Sequence, residues 1–450
     1  MVASIVGQGS AWSGQRGEAI RLDDDQSAEV AGTTPARRHR RIAMLGGVAA
    51  QGSQAIASVA LQVLAARLLG LAGLGRYGAL YAVIILTTAV CSGFVGDSLT
   101  VLDRSRTDIR AGLQTWLLIV PLMAGAMCCV GAFATGFLPL PGAIAFGGAA
   151  AAFMVEDCLR RLLMATLHFW RIVLVDMAAL VGSVSVAAVV GLMTDLTITH
   201  FLVALIAGQV VAAFMAAAML PASERYVVAM RPAALGAVAK YGGWRAMQQA
   251  VRAALLALVR IVGLLGVGAT AVGGLEAARI YMAPAMLVVT GMGSFLFASY
   301  AARSDAPLED LVRLADRSVL TLLCLVGGFG VAAVSLIGWL GPLLTNGKYE
   351  LSVITVGGWA AYAASAAAVA PYGQLAAVRG RQTAVLGIRA ADSVFSLLAV
   401  VVVVAINDSV QWVPAVLAVG SLFGGLAIRQ FPLRRAPSAA VPTTLPNESM

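Results

Sequence analysis

Charge is the scarcest commodity in this 450-residue sequence: Asp, Glu, Lys and Arg make up 12% of it, against 60% hydrophobic residues. A soluble chain of that length needs far more polar surface to cover its core, so a soluble globular class is excluded. Lysine is nearly missing, with Lys240 and Lys348 the two among 31 basic residues. With so much Ala, Gly and Val, the arginine bias fits GC-rich bacterial coding. Histidine occurs three times, as His39, His168 and His200, with no metal or catalytic constellation. The five cysteines, Cys91, Cys128, Cys129, Cys158 and Cys324, lie in or at the ends of apolar runs. They read as buried small hydrophobes, not as disulfides or metal ligands. There is no GxSxG, no paired acid arrangement, no Cys/His dyad and no GxxxxGK[ST] phosphate loop. No enzymatic activity, cofactor, metal or nucleic-acid partner is therefore expected.

What is present is hydrophobic length. Mean hydropathy is +0.88, and a hydrocarbon core of about 30 Å asks for roughly 20 apolar residues per helix. On that scale the sequence predicts twelve spans: 42–69, 77–100, 112–137, 142–166, 171–193, 198–220, 244–266, 275–301, 318–344, 351–378, 384–405 and 410–431. The runs are too long and too continuously apolar for barrel strands, so the expected class is an all-α polytopic membrane protein. Residues 1–41 form a polar tail without the apolar core of a signal peptide, and residues 433–450 look alike. Both are expected to be disordered.

Arginine placement orients the spans. Twenty-three Lys and Arg fall before the first span or after even-numbered ones, whereas Arg67, Arg76 and Lys348 fall on the opposite side. Both termini are thus expected in the cytoplasm, in a bacterial inner membrane. Connections are short, with outer turns such as "PLPG", "TDLTIT" and "NDSVQ". None holds an ATPase domain or the outer domain that a membrane-embedded glycan polymerase needs. Function must therefore reside within the bundle.

A duplication is legible. "ARLLGLAGLGRYGALYA", beginning at Ala65, matches "VRIVGLLGVGATAVGGLEAARIY": Arg67-x-x-Gly70 falls opposite Arg260-x-x-Gly263, and Tyr81 near Tyr281. Six spans lie between the copies, which keeps their orientation and implies a parallel repeat of two pseudo-symmetric six-helix lobes. The expected boundaries are 42–221 for one lobe, 222–243 for a cytoplasmic linker and 244–432 for the other. Chance similarity between Gly/Ala-rich segments is the competing explanation.

Together with "GGLEAARIYMAPAMLVVTGMGSFLFASYAAR" (Gly273 to Arg303) and "LTNGKYELS" (Leu344 to Ser352), that first segment resembles bacterial polysaccharide-biosynthesis exporters. In these an A-R-x-L-G turn precedes G-x-Y/F, a proline-bearing eighth span follows, and a short G-x-Y turn joins spans nine and ten. They are lipid-linked oligosaccharide flippases of the multidrug/oligosaccharidyl-lipid/polysaccharide superfamily. The resemblance runs from about Ile42 to Phe431. It implies two lobes around a central cavity that opens alternately to each side and holds basic residues.

The seventh span carries the candidate site. Arg245, Gln249, Arg252, Leu256 and Arg260, with Gln248, fall within an arc of about 120° on a helix, and the other faces are Ala, Leu and Val. A charge at the bilayer centre costs ~2.5–3.5 kcal/mol, so this face must line an aqueous cavity or a polar interface. In the first case Arg245, Gln249, Arg252 and Arg260, with Arg279 of span eight, make a cationic lining. Guanidinium grips phosphate with a bidentate fork, and polyprenyl pyrophosphate is the anion that such a flippase moves. In the second case Arg245 and Arg260 snorkel to the membrane surfaces, and Arg252 pairs with a carboxylate of another span. Glu276, one turn before Arg279, either tempers the cations or titrates during transport.

Span four contains "VEDCLRRLL", in which Glu156–Arg160 and Asp157–Arg161 are i,i+4 pairs of the favoured order. Both are expected to be structural, although Glu156 lies deep enough for a proton or sodium site. Asp97, Asp176 and Asp392 are weaker candidates. Gln51, Gln54, Gln62, Gln209 and Gln374 suit either sugar hydroxyls or helix bridging.

The expected function is translocation of a polyprenyl-pyrophosphate-linked glycan by alternating access, for export of a cell-surface polysaccharide. The chain would act as a monomer in the bilayer, with glycosyltransferases and a polysaccharide polymerase as functional partners. The alternatives are an ion-coupled multidrug/cation antiporter of the same superfamily and a non-transporting membrane scaffold.

Overall fold

The computed structural model describes residues 35–431, except 167, 226–232, 302, 304–305, 380 and 408. The expected tails at 1–41 and 433–450 thus lie outside the described residues, apart from 35–41. Met1–Ile42 and Ala43–Met450 form separate compact units, and the helical bundle belongs to the second.

Every described element is helical. In chain order they are α1 (Pro35–Leu68), α2 (Gly70–Cys91), a π-helical stretch (Ser92–Gly96), α3 (Asp97–Val101), α4 (Thr107–Ala134), α5 (Leu140–Ala165), α6 (Phe169–Met193) and α7 (Ile198–Met219). After a 3-10 turn come α8 (Leu235–Gly266), α9 (Ala269–Tyr281), α10 (Ala283–Ala301), α11 (Leu308–Ser335), α12 (Ile337–Thr345), α13 (Val353–Val378), α14 (Gln382–Asn407) and α15 (Val413–Gln430). Among the described residues ten stretches are long and apolar enough to cross a membrane, and α9 with α10 supply an eleventh, bent by 54°. The bend falls just before Pro284, which has no N–H to continue the helical ladder. The twelfth expected span is α1, which is long enough; its Gln51, Gln54, Ser58 and Gln62 keep it less apolar than the rest.

Two corrections concern the ends of the spans. The first outer turn, expected over 70–76, is a break of one residue: Leu69 alone separates α1 from α2, which starts at Gly70, at φ +67°. Its counterpart is Gly268, at φ +102°; Val267 and Gly268 alone separate α8 from α9. Both positions need a backbone conformation that L side chains resist. The sequence match of Gly263 with Gly70 therefore sets the second turn a few residues early. At the other end α8 begins at Leu235, inside the expected linker.

Two hydrophobic cores divide the helices. The first gathers α1–α7, with Val238 of α8 and Ala277 and Ile280 of α9, around Tyr77, Met154 and Phe201, where the Tyr77 ring stacks on Tyr81 at 5.6 Å and meets Phe201 edge-on at 5.0 Å. The second gathers α8–α15 around Tyr300, Trp359 and Leu375. Glycines let the two cores approach without intervening side chains. A Cβ on Gly75 of α2 would overlap the Ala269 carbonyl oxygen, and one on Gly273 of α9 would overlap that of Leu71. Nearer the other ends of these spans, Gly93 lies against Ala246 of α8, and Gly242 against Phe94. Among the cysteines, Cys91 and Cys158 are buried with their Sγ atoms 3.7 Å apart. His200 completes a capping box with Thr197 at the start of α7, a local structural role.

Candidate functional site

Gly242 and Gly93 bring the first half of α8 against the first core, and the polar face of α8 then turns toward α13, α14 and α15. There a cavity of about 510 Å³ opens, with Arg245, Gln249 and Arg252 on its α8 wall. Gln374 of α13, Gln382 and Ser393 of α14 and Ser421 of α15 face them. A second cavity, of about 220 Å³, lies between the cores, with Ser58 and Gln62 of α1 on one side and Arg279 and Trp359 on the other. Arg252 and Tyr362 line both. The two side chains are therefore the partition: Arg252 Nη2 donates to Tyr362 Oη at 3.1 Å, and the guanidinium lies 5.7 Å from the ring centroid.

The cations of α8 fare differently. Arg252 is exposed and has no carboxylate partner among the described residues. Arg245 lines the larger cavity but is anchored, with Nη2 2.7 Å from Asp97 Oδ2 and Nη1 donating to Gln248 Oε1 at 2.8 Å. Arg260 departs from expectation: it lines neither cavity. Its Nε lies 2.6 Å from Glu276 Oε1 and its Nη1 donates to the Leu256 carbonyl at 2.6 Å. Residue 260 sits at the far edge of the polar arc, about 80° from Arg252, which aims it at α9 instead. Both members of this pair are buried.

Glu276 serves two arginines, since Arg279 Nε lies 2.8 Å from its Oε2. Arg279 still lines the smaller cavity, and its Nη2 donates to Gln62 Oε1. Gln62 is itself held by its own helix, donating to Ser58 Oγ at 2.9 Å. A chain of contacts thus joins α8, α9 and α1 through one carboxylate.

In the first core, one expected pair forms and the other does not. Asp157 and Arg161 meet at 2.9 Å, and Ser92 also donates to Asp157. Arg160 turns from Glu156 to Asp176, at 3.1 Å, and donates to the Ala50 carbonyl at 2.7 Å. Asp176 accepts from Ser53 as well. Glu156 is left buried, with no hydrogen bond or ion pair among the described residues. The i,i+4 spacing permitted the contact, but the acid of α6 was better placed.

Arg389 of α14 is the charged member of the larger cavity that sequence reasoning missed, and Asp392, one of the weaker candidates, lines it too. Arg389 sits near the arginine-rich end of its span and reads there as a topological charge. The available signal was spacing: Arg389, Asp392 and Ser396 follow at i, i+3 and i+7, on one face of an otherwise apolar helix.

No protein-family model matches the chain, and no curated protein matches it. Solved structures do. The lipid II flippase MurJ, in an inward closed conformation, is similar over 86% of this chain and 87% of its own, with a TM-score of 0.68 at 11% identity. An inward-facing MATE multidrug resistance transporter of the MOP superfamily is similar over 84% and 93%, with a TM-score of 0.64 at 14% identity. A MOP superfamily transporter from Pyrococcus furiosus, described for the reversed polarity of its binding pocket, matches over 88% and 95%, with a TM-score of 0.56 at 13% identity. The chain therefore has the fold of MOP superfamily transporters; at such identities the likeness extends to the fold alone.

Proposed function

We propose that this chain is a flippase for a polyprenyl-pyrophosphate-linked oligosaccharide, working by alternating access in the bacterial inner membrane with both termini in the cytoplasm. One observation carries the reading. Arg252 presents a guanidinium to the wall between two cavities inside an apolar bundle, hydrogen-bonded to Tyr362 and with no carboxylate at ion-pair distance among the described residues. A cation within such a bundle needs a counter-charge, and here an anionic cargo supplies it. Arginine suits phosphate because its fork makes two parallel charge-assisted hydrogen bonds. The larger cavity falls within the usual range of small-molecule sites, about 300–1,000 Å³, and its glutamines and serines match the hydroxyls of a sugar next to the diphosphate. MurJ, whose fold the chain shares, is described as a lipid II flippase.

A second reading is an ion-coupled multidrug antiporter, since a transporter with this fold is described as a multidrug resistance MATE family transporter. Glu156, buried without an ion pair, favours ion coupling in either case. The flippase reading is preferred to a cationic drug on the charge of the larger cavity, which three guanidinium groups and one carboxylate line.

The test is Arg252→Ala. Glycan export should be lost while membrane insertion and protein abundance stay at wild-type level. Equal glycan output at matched abundance would remove the cavity role of Arg252.

A further inference from the structure

Arg389 has an unusual position among the cations of the cavities. Every other arginine that lines a cavity is held at hydrogen-bonding distance: Arg245 by Asp97 at 2.7 Å, Arg279 by Glu276 at 2.8 Å and Arg252 by Tyr362 at 3.1 Å. Arg389 Nη1 stands 3.7 Å from Asp392 Oδ2, beyond a hydrogen bond, and makes no hydrogen bond among the described residues. Its donors are free to face the cavity.

Asp392, by contrast, is seated. α15 presents Gly420 and Gly424 to it: a Cβ on Gly424 would come within 2.9 Å of Asp392 Oδ2, and one on Gly420 would overlap Ser396 Oγ. Ser396 Oγ also donates to Asp392 Oδ1 at 3.3 Å. The notch in α15 thus fixes a carboxylate beside the cavity, close enough to make Arg389 tolerable when the cavity is empty and too far to saturate it.

We propose that Arg389 is a second substrate-contacting guanidinium, and that with Arg252 it makes this cavity select a diphosphate linkage over a monophosphate. The proposal rests on the flippase reading above. A phosphodiester carries one negative charge, which Arg252 alone answers. A diphosphate diester carries two, and the second displaces Asp392 as the partner of Arg389. The two guanidinium groups reach the same cavity from two neighbouring helices, α8 and α14, so one headgroup can engage both.

Two probes separate the possibilities: a farnesyl chain joined to one hexose through a diphosphate, and the same pair joined through a monophosphate. Binding is measured on the full chain in lipid nanodiscs. The wild type should prefer the diphosphate probe by about tenfold, the scale of one hydrogen bond to a charged group. Arg389→Gln should bring the two affinities together chiefly by weakening the diphosphate probe, and Arg389→Lys should keep most of the preference. Asp392→Asn, which removes the competing anion, should tighten the diphosphate probe more than the other, and provides a readout if the Gln variant does not fold. Unchanged discrimination in Arg389→Gln or in Asp392→Asn overturns the role of Arg389 and leaves the flippase reading standing. Equal binding of both probes by the wild type does the same. Failure of the wild type to bind either probe overturns both.

Discussion

Asp97 and Arg245 join the two cores: Asp97, where the π-helical end of the second span passes into α3, holds the α8 guanidinium at 2.7 Å. The same carboxylate takes Arg161 of α5 at 3.0 Å. Beside the pair, Gly93 lies against Ala246 and Gly242 against Phe94, so charge and close packing coincide at one end of the lobe interface. At the other end the closure is made by Gly75 and Gly273, with no ion pair between them.

Asp97→Asn should loosen the first of these contacts. Ala246, buried against Gly93, provides the reporter. In a background lacking the five native cysteines, a cysteine at 246 should react with a soluble thiol reagent several times faster in the Asp97→Asn protein than in the parent. Equal rates would show that packing alone holds this end shut.

At the opposite end the backbones themselves touch. Gly75→Ala places a methyl group on the Ala269 carbonyl, and overpacking of this kind costs about 1–3 kcal/mol. The thermal midpoint in detergent should fall. Gly52→Ala, where nothing lies within 4 Å of the added carbon, should leave it unchanged. A Gly75→Ala protein as stable as the parent would mean that α2 and α9 separate without cost.

Much of this architecture is legible in the sequence, because hydrocarbon forces backbone polar groups into long helices and leaves twelve apolar runs. The polar face of α8 is legible for the same reason. Helical periodicity gives the direction of a side chain but not its neighbour across the bundle. Arg260 belongs to the same arc as Arg252, and only the position of α9 decides that it meets Glu276. Arg160 is spaced to reach Glu156, but Asp176 arrives from α6. Gly70 reads as part of a loop because a turn of a single left-handed residue leaves no polar stretch behind it. Arg389 reads as one more arginine at the positive end of a span, and its cavity exists only once α8, α13, α14 and α15 have assembled.

Glu156→Gln addresses coupling. A buried carboxyl group outside any ion pair is a position at which a coupling ion can act. Transport in proteoliposomes by the wild type should respond to an imposed proton or sodium gradient, whereas the Gln variant should transport at a rate indifferent to it. A variant with the wild-type gradient dependence would make Glu156 a packing residue.

Arg260 and Glu276 should behave as the opposite of Arg252. With side chains 8% and 2% exposed, neither can recruit water when its partner is lost, and breaking a buried pair costs about 3–5 kcal/mol. Arg260→Met leaves Glu276 with Arg279 alone, and Glu276→Gln strips both arginines of their counter-ion, so each single variant should lower abundance and thermal midpoint, the second more. The double variant Arg260→Met/Glu276→Gln removes both buried charges of the tight pair and should recover a large part of the loss, as coupled neighbours do in a double-mutant cycle. Export, normalised to the protein present, should stay near wild type in Arg260→Met, because this guanidinium reaches neither cavity. If Arg260→Met instead accumulates normally and exports nothing, the division of the α8 arginines into one that packs and one that meets cargo is wrong.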